Sequence, residues 1–266
     1  MSEPIISVRD LTVSYAGHCV LDGVNLDIEK GEIMVLLGGS GSGKSTMLRH
    51  IIGLERPQSG TVHVRGVDIN RCSQQELRKL RSAMGVAFQD PALFNSLTIE
   101  ENIALPLREL TDLADPVIDI MVYMKLAVVG LGETEKQYPH ELSGGMKKRA
   151  AVARAIALDP EILVFDEPSA GLDPIVAAEL DDLILFLKRV FHMTILVVTH
   201  EIASAFRIAD RMAMLYKGQL IAVDNKDSLR ASTNPRIRQF LDRVPDRLTD
   251  STAVREHMRK LAGMGE

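Results

Sequence analysis

Tryptophan is absent from the 266 residues, aromatic residues make up only 4%, and there are two cysteines, Cys19 and Cys72. The two form no CxxC pair and no ligand cluster, so they read as free thiols of a reducing compartment, not as a disulfide framework or a metal site. Long apolar runs are lacking as well, since none approaches the roughly 18 residues of a spanning helix. Residues Met1 to Asp10 hold no basic stretch followed by an apolar one. The expectation is a cytosolic chain that crosses no membrane. Nor is there a basic excess: 31 Lys+Arg against 36 Asp+Glu leave a net charge of −5. Neutralising nucleic-acid phosphates takes a concentrated basic footprint, so no nucleic acid is expected as a partner. What is present is globular composition, 46% hydrophobic and 25% charged. A chain of this size can bury a sizeable core, in one large or two small domains.

Ile5 to Ile28 alternates apolar and polar residues around Tyr15-Ala16-Gly17-His18, the pattern of short antiparallel strands. Ile33-Met34-Val35-Leu36-Leu37 is a continuous apolar run of strand length, followed by a glycine loop and a helical stretch with Leu48, Ile51 and Ile52 on one face. Thr98 and Glu101 predict a capping box, Pro106 the end of that helix, and Asp115 with Pro116 an N-cap and first-turn pair. A third helix is expected from Ser143 to Ala157, stopped by Asp159-Pro160. Two buried strands follow, Ile162 to Phe165 and Thr194 to Val198. Between them a helix from Pro174 turns Leu180, Leu183, Ile184 and Leu187 inward. Strands alternating with helices predict a parallel α/β sheet with crossovers, into which a helical block at about residues 91–157 is inserted.

Gly38-Gly39-Ser40-Gly41-Ser42-Gly43-Lys44-Ser45-Thr46 fits the phosphate-binding loop pattern, placed after a buried strand and before a helix. Its glycines let backbone N–H groups converge on phosphates, Lys44 adds a point charge, and Ser45 offers an oxygen to Mg²⁺. Leu163-Val164-Phe165-Asp166-Glu167 is an apolar strand ending in two carboxylates, suited to holding Mg²⁺ through water and polarising the attacking water. Leu142-Ser143-Gly144-Gly145-Met146 opens a helix; Ser143 reads either as a plain N-cap or as part of an anion site.

Taken in order, Gly38 to Thr46, Gln89, Leu142 to Gly145, Phe165-Asp166-Glu167, Ser169 to Asp173 and His200 resemble the ATP-binding cassette ATPases over about residues 5–223. Alone, Tyr15, Gln89 and His200 would each pass for a strand aromatic, a loop residue and a strand end; their joint order decides otherwise. The resemblance implies a P-loop NTPase fold: a parallel RecA-like sheet, an N-terminal antiparallel β subdomain and an inserted α-helical subdomain. Residues 1–225 would form the ATP-binding domain and 226–266 a C-terminal extension. It implies that Tyr15 stacks on adenine, that Asp166 steadies Mg²⁺, and that Glu167 is the general base. Gln89 would link the metal to a membrane partner, His200 would contact the γ-phosphate, and Asp173 would lie at the subunit boundary. Ser143, Gly144 and Gly145 would bind ATP held by a second copy, in a head-to-tail dimer with two ATP at its interface.

Met146 after the signature glycines, the Gly-Gly-Ser-Gly-Ser-Gly-Lys-Ser-Thr loop and Asn234 to Asp242 in the tail resemble the ATPases of Mla-type phospholipid transporters. That implies an MlaE-type permease, an MCE-domain protein and, in some bacteria, a STAS-domain subunit as partners, at the cytoplasmic face of the inner membrane. Two alternatives stay open: an importer ATPase for another small solute, and a soluble ATPase of the iron–sulfur assembly type. A module that only binds nucleotide is disfavoured by Glu167 and His200. In the tail, Pro235 opens a helical pattern with Ile237, Phe240, Leu241 and Val244 on one stripe, too short to stand without a surface to cover it; the resemblance implies that this surface belongs to the sister subunit. Past Asp250 a solvated terminus is expected.

Overall fold

The computed structural model describes residues 3–245. The chain opens as a hairpin, β1 (Ile6–Tyr15) and β2 (His18–Ile28), paired antiparallel across Ala16 and Gly17, both at positive φ. β3 (Ile33–Leu37) leaves for a second sheet, and all five of its residues are buried. A strand with no solvent face belongs in the middle of a sheet covered on both sides. After α1 (Lys44–Ile51), β4 (Ser59–Val64) returns to the free edge of β1 and pairs with β5 (Val67–Asp68), completing the antiparallel order β2-β1-β4-β5. α2 (Gln74–Ser82) starts at a capping box of Ser73 and Glu76 and leads to β6 (Met84–Ala87).

The helical block consists of α3 (Ile99–Leu110), α4 (Asp115–Val128) and α5 (Gly144–Ala155). Then β7 (Ile162–Asp166), α6 (Pro174–Phe191), β8 (Thr194–Thr199), α7 (Ile202–Ile208), β9 (Arg211–Tyr216) and β10 (Gln219–Asn225) finish the second sheet. Its order is β10-β9-β3-β8-β7-β6, parallel throughout except for the antiparallel edge strand β10. A buried cluster joins the two sheets, with Val8, Leu11 and Leu26 of one, Met34, Leu36 and Leu196 of the other, and Met47 and Leu48 of α1. Phe165, at the heart of β7, is fully buried. Burying such a ring is worth about 2–3 kcal/mol.

A second join is polar. In the turn after β9, the Gly218 N–H donates to Ser42 O at 3.1 Å, and Gly218 O accepts from Asp22 N at 2.9 Å. A Cβ on Gly218 would stand 2.6 Å from Val20 O, and one on Gly43 2.9 Å from the same oxygen. The glycine loop, β2 and the β9–β10 turn thus meet at one carbonyl.

Several expectations are corrected. Pro106 does not end α3, which runs on to Leu110. Ile99, Ile103, Ala104 and Leu107 are buried on both sides of the proline, and this shared burial outweighs the lost backbone bond. The N-cap of α4 is Ala114, with Asp115 as the first helical residue and paired with Arg108 instead. α5 stops at Ala155, short of Ala157. Ile52 caps α1 from just outside it.

The chain divides into two compact units between Ala231 and Ser232. The first ends with α8 (Lys226–Arg230). In the second, α9 (Pro235–Leu241) is capped by Asn234, whose Oδ1 accepts from Arg236 N at 2.9 Å. Ile237 is buried and Phe240 and Leu241 partly so, whereas Val244 lies beyond the helix and exposed, off the predicted stripe. The expectation for residues past Asp250 falls outside the described residues. Among the described residues, no helix is long and apolar enough to cross a membrane.

Candidate active site

The glycine loop joins the carboxyl end of the central strand β3 to α1, so its amides sit where the sheet's parallel strands all end. Gly43 occupies the N-cap of α1 at φ 106°, a conformation open to glycine alone. Gly38 is fixed by crowding, not by φ: a Cβ there would collide with the backbone oxygen of Leu215 on β9. Gly39, Ser40, Gly41 and Ser45 are exposed, while Ser42, Lys44 and Thr46 are buried. Lys44 Nζ donates to Gly38 O at 2.8 Å and Gly39 O at 3.1 Å. Burial pushes its ammonium below the usual lysine range, against the pull of Glu167 and Asp166.

β7 delivers Asp166 and Glu167 to the same end. Glu167 stands at φ 48°, unusual for a non-glycine residue, with its N–H donating to Val198 O at 2.8 Å. Its Oε2 accepts from Thr199 Oγ1 at 3.2 Å and from His200 N at 3.3 Å, and lies 2.8 Å from His200 Nδ1. Its Oε1 faces Lys44 Nζ at 3.8 Å. One oxygen is therefore tied to the end of β8, and the other is turned toward the loop. Burial, and next the neighbouring Glu167, hold the Asp166 carboxyl above the ordinary range.

The buried Asp166 Oδ1, Ser42 Oγ and Ser169 Oγ have no hydrogen-bond partner. Buried polar oxygens are costly unless paired, which marks this end as built for a ligand. Oxygen donors of this kind suit a hard divalent cation, and among the described residues no group of three or more His, Cys, Asp or Glu could hold one alone. Mg²⁺ would be such a cation, and it usually shares its shell among one or two carboxylates, water and phosphates.

The other expected residues come from elements outside the loop. Tyr15, at the tip of β1, is exposed, and its hydroxyl bonds to Glu55, itself paired with Arg49 of α1. Gln89 follows β6 with an exposed side chain. Ser143 Oγ accepts from Met146 N at 3.3 Å, so the plain N-cap is real. Gly144 and Gly145 begin α5; a Cβ on Gly145 would come 2.6 Å from Val176, on the helix that Asp173 caps. Among the described residues, no hydrogen bond or ion pair links Ser143, Gly144 or Gly145 to the loop at residues 38–46.

Two residues that the motifs do not flag complete the site. Thr199 positions the Glu167 carboxylate, and the buried Lys148 of α5 donates to Gln89 O at 2.6 Å and Glu167 O at 3.4 Å. Burial lowers the Lys148 ammonium below the usual range, with Asp90, Asp166 and Glu167 opposing. A Thr at a strand end and a Lys on a helix look like ordinary surface polarity until the fold closes on them.

A phosphate loop beneath an aimed carboxylate defines an ATPase. Comparison with known proteins agrees: the family model described as ABC transporter matches residues 21–170. The chain belongs to the ABC transporter family, as an ATP-binding ATPase. It is 39% identical to the intermembrane phospholipid transport system ATP-binding protein MlaF of Escherichia coli K12 over 242 residues, 91% of this chain and 90% of that one. It is 45% identical to the probable ribonucleotide transport ATP-binding protein mkl of Mycobacterium leprae over 237 residues, 89% of this chain but 68% of that one. Among solved structures, the ATP-binding cassette MJ0796, dimeric and bound to ADP and Pi in a post-hydrolysis state, matches with a TM-score of 0.77 at 32% identity. That match covers 83% of this chain and 98% of the other. CbiO1 of Clostridium perfringens, part of the CbiONQ transporter complex, matches at 0.81 and 29% identity, over 91% and 98% of the two chains.

Proposed function

We propose that this ATPase drives phospholipid or other lipid transport by a membrane permease of the MlaE type working with an MCE-domain protein, with a STAS-domain subunit as a further partner. The observation that carries the cargo is reciprocal coverage: the match to MlaF takes in nearly all of both chains. The chain spans about two thirds of the mkl protein, so ribonucleotide transport is the second reading, favoured by the higher identity. In either case the chain sits peripherally at the cytoplasmic face of the inner membrane, held there by the permease.

Two copies are taken to pair head to tail; the cassette that this chain resembles is itself dimeric. Each site then combines one chain's glycine loop with the Ser143-Gly144-Gly145 turn of the other, and Asp173 lies at the boundary. Lys44 and the loop amides hold the β- and γ-phosphates, Tyr15 stacks on adenine, and His200 contacts the γ-phosphate. Ser45, Asp166 and Gln89 would hold Mg²⁺, which would neutralise charge gathering on the phosphate oxygens. Glu167 takes the proton of the attacking water. Its carboxylate is suited to this because Thr199 and the His200 N–H fix Oε2 and leave Oε1 turned to the loop. Binding energy released as the dimer closes is what moves the permease, and hydrolysis resets it.

The test is co-purification from detergent-solubilised membranes, with lipid and nucleotide analysis of the complex. Recovery of an MlaE-type permease and bound phospholipid is the expected result. A complex carrying another permease and no lipid would replace the lipid reading.

A further inference from the structure

α5 begins at Ser143, yet its firmest ties run elsewhere. Lys148, in its second turn, is 8% exposed, and among the described residues its hydrogen bonds run to backbone oxygens, not to a carboxylate. A buried ammonium is costly unless its protons are satisfied. Here they go to two backbone carbonyls on different loops, Gln89 O, 59 positions away, and Glu167 O, 19 positions away. Among the described residues, no other side chain donates to both loops. Arg154, on the same helix, adds a second hold on the first loop, through Ala92 O at 2.7 Å and Pro91 O at 2.9 Å. Ala92 and Glu167 both stand at positive φ, so each loop keeps a backbone shape that its residue would not adopt unaided.

We propose that Lys148 is a positioning residue for hydrolysis: one ammonium joins the helix that begins at Ser143 to the backbone that aims the Glu167 carboxylate and to the Gln89 turn. A displacement of α5 is then passed to both loops at once. The inference rests on Glu167 being the base, and it adds a residue outside the family motifs to the machinery.

The experiment uses the full chain and compares Lys148→Met, which keeps length but donates nothing, with Lys148→Arg, which restores donors. ATP turnover, KM for ATP, affinity for a non-hydrolysable ATP analogue and thermal unfolding are measured for each. Lys148→Met should lose turnover by about tenfold to a hundredfold, the scale of misplacing a catalytic group, with analogue affinity and KM nearly unchanged. Lys148→Arg should recover most of it. In a Glu167→Gln background, Lys148→Met should add little further loss, because both changes act on one step. Unchanged turnover in Lys148→Met, an equal loss of affinity, or full additivity with Glu167→Gln would each overturn the proposal. If the Met variant does not fold, Lys148→Gln, with one remaining donor, takes its place: reduced turnover at unchanged affinity supports the role, and wild-type turnover sinks it. If Glu167→Gln itself turns over normally, the reading of the base fails, whatever Lys148 does.

Discussion

The two glycine motifs of this chain are built on opposite principles. Around Gly38 to Thr46 the frame is braced by its own chain: Lys44 lies under the loop, Gly38 is pressed against β9, and Glu167 is held by Val198 and Thr199 of β8 and by His200 just past it. At Ser143 to Gly145 the helix start is exposed, and only the Val176 contact crowds it. One motif is preorganised by its own chain. The other is presented to the outside, as the proposed sharing of a site between two copies requires.

Changes that spare one side and strike the other test this contrast. The largest effect is expected from Glu167→Gln, which keeps the shape and removes the base. Turnover should fall by about 10²–10⁴-fold while ATP stays bound, as equilibrium binding and a coupled phosphate assay would read. Ser143→Arg should lower turnover by less than that, while leaving the ATP affinity of the single chain intact. Mixed with Lys44→Ala chains it should regain activity, because one composite site in the heterodimer then carries neither change. No recovery in verified heterodimers would mean that each chain completes its own site.

Next come the glycines themselves. Gly38→Ala forces a methyl against a backbone oxygen that has nowhere to go, and should cost about 1–3 kcal/mol in thermal or urea unfolding. Gly144→Ala meets only Leu172, at 3.9 Å, and should change stability by less than about 0.5 kcal/mol. Equal effects would erase the distinction.

A last effect, set by pH, concerns Asp166. Burial raises its pKa on folding, so the folded chain holds the proton more tightly than the unfolded one. Stability from this group is therefore lost as pH rises through the window between the ordinary and the raised value. Without nucleotide, Asp166→Asn should be more stable than the parent at neutral pH, with the gap closing as pH falls through the ordinary carboxylate range. A less stable variant would show that the carboxylate is structural and not a cost accepted for the site.

Much of this was legible because the informative residues are local. β3, its glycine loop and α1 are contiguous, β7 ends in its own carboxylates, and Thr98 and Glu101 announce α3 within four positions. What escaped depends on distant partners. β6 is absent from the strands expected above, and its Gly85 is needed only because a side chain there would strike the Ala155 carbonyl of α5. Lys148 shows no role until β6 and β7 bring their loops to it. Pro106 was misread because its local rule is outweighed by burial on both flanks. The antiparallel direction of β10 is set by the short turn at Lys217 and Gly218, too brief for a crossover.

That same turn limits how the domain can be cut and recombined. The N-terminal hairpin looks like a detachable module, since it belongs to its own sheet and comes first in the chain. Yet the Val20 carbonyl leaves no room for a side chain at either Gly43 or Gly218, and Gly218 is bonded to both Asp22 and Ser42. A hairpin transplanted from a relative would have to reproduce that carbonyl's position within a few tenths of an ångström, or shift the phosphate loop with it. Chimeras with junctions in the segment between β2 and β3 should therefore fail more often than those with junctions after β10, and a hybrid that folds with a displaced hairpin should bind nucleotide poorly.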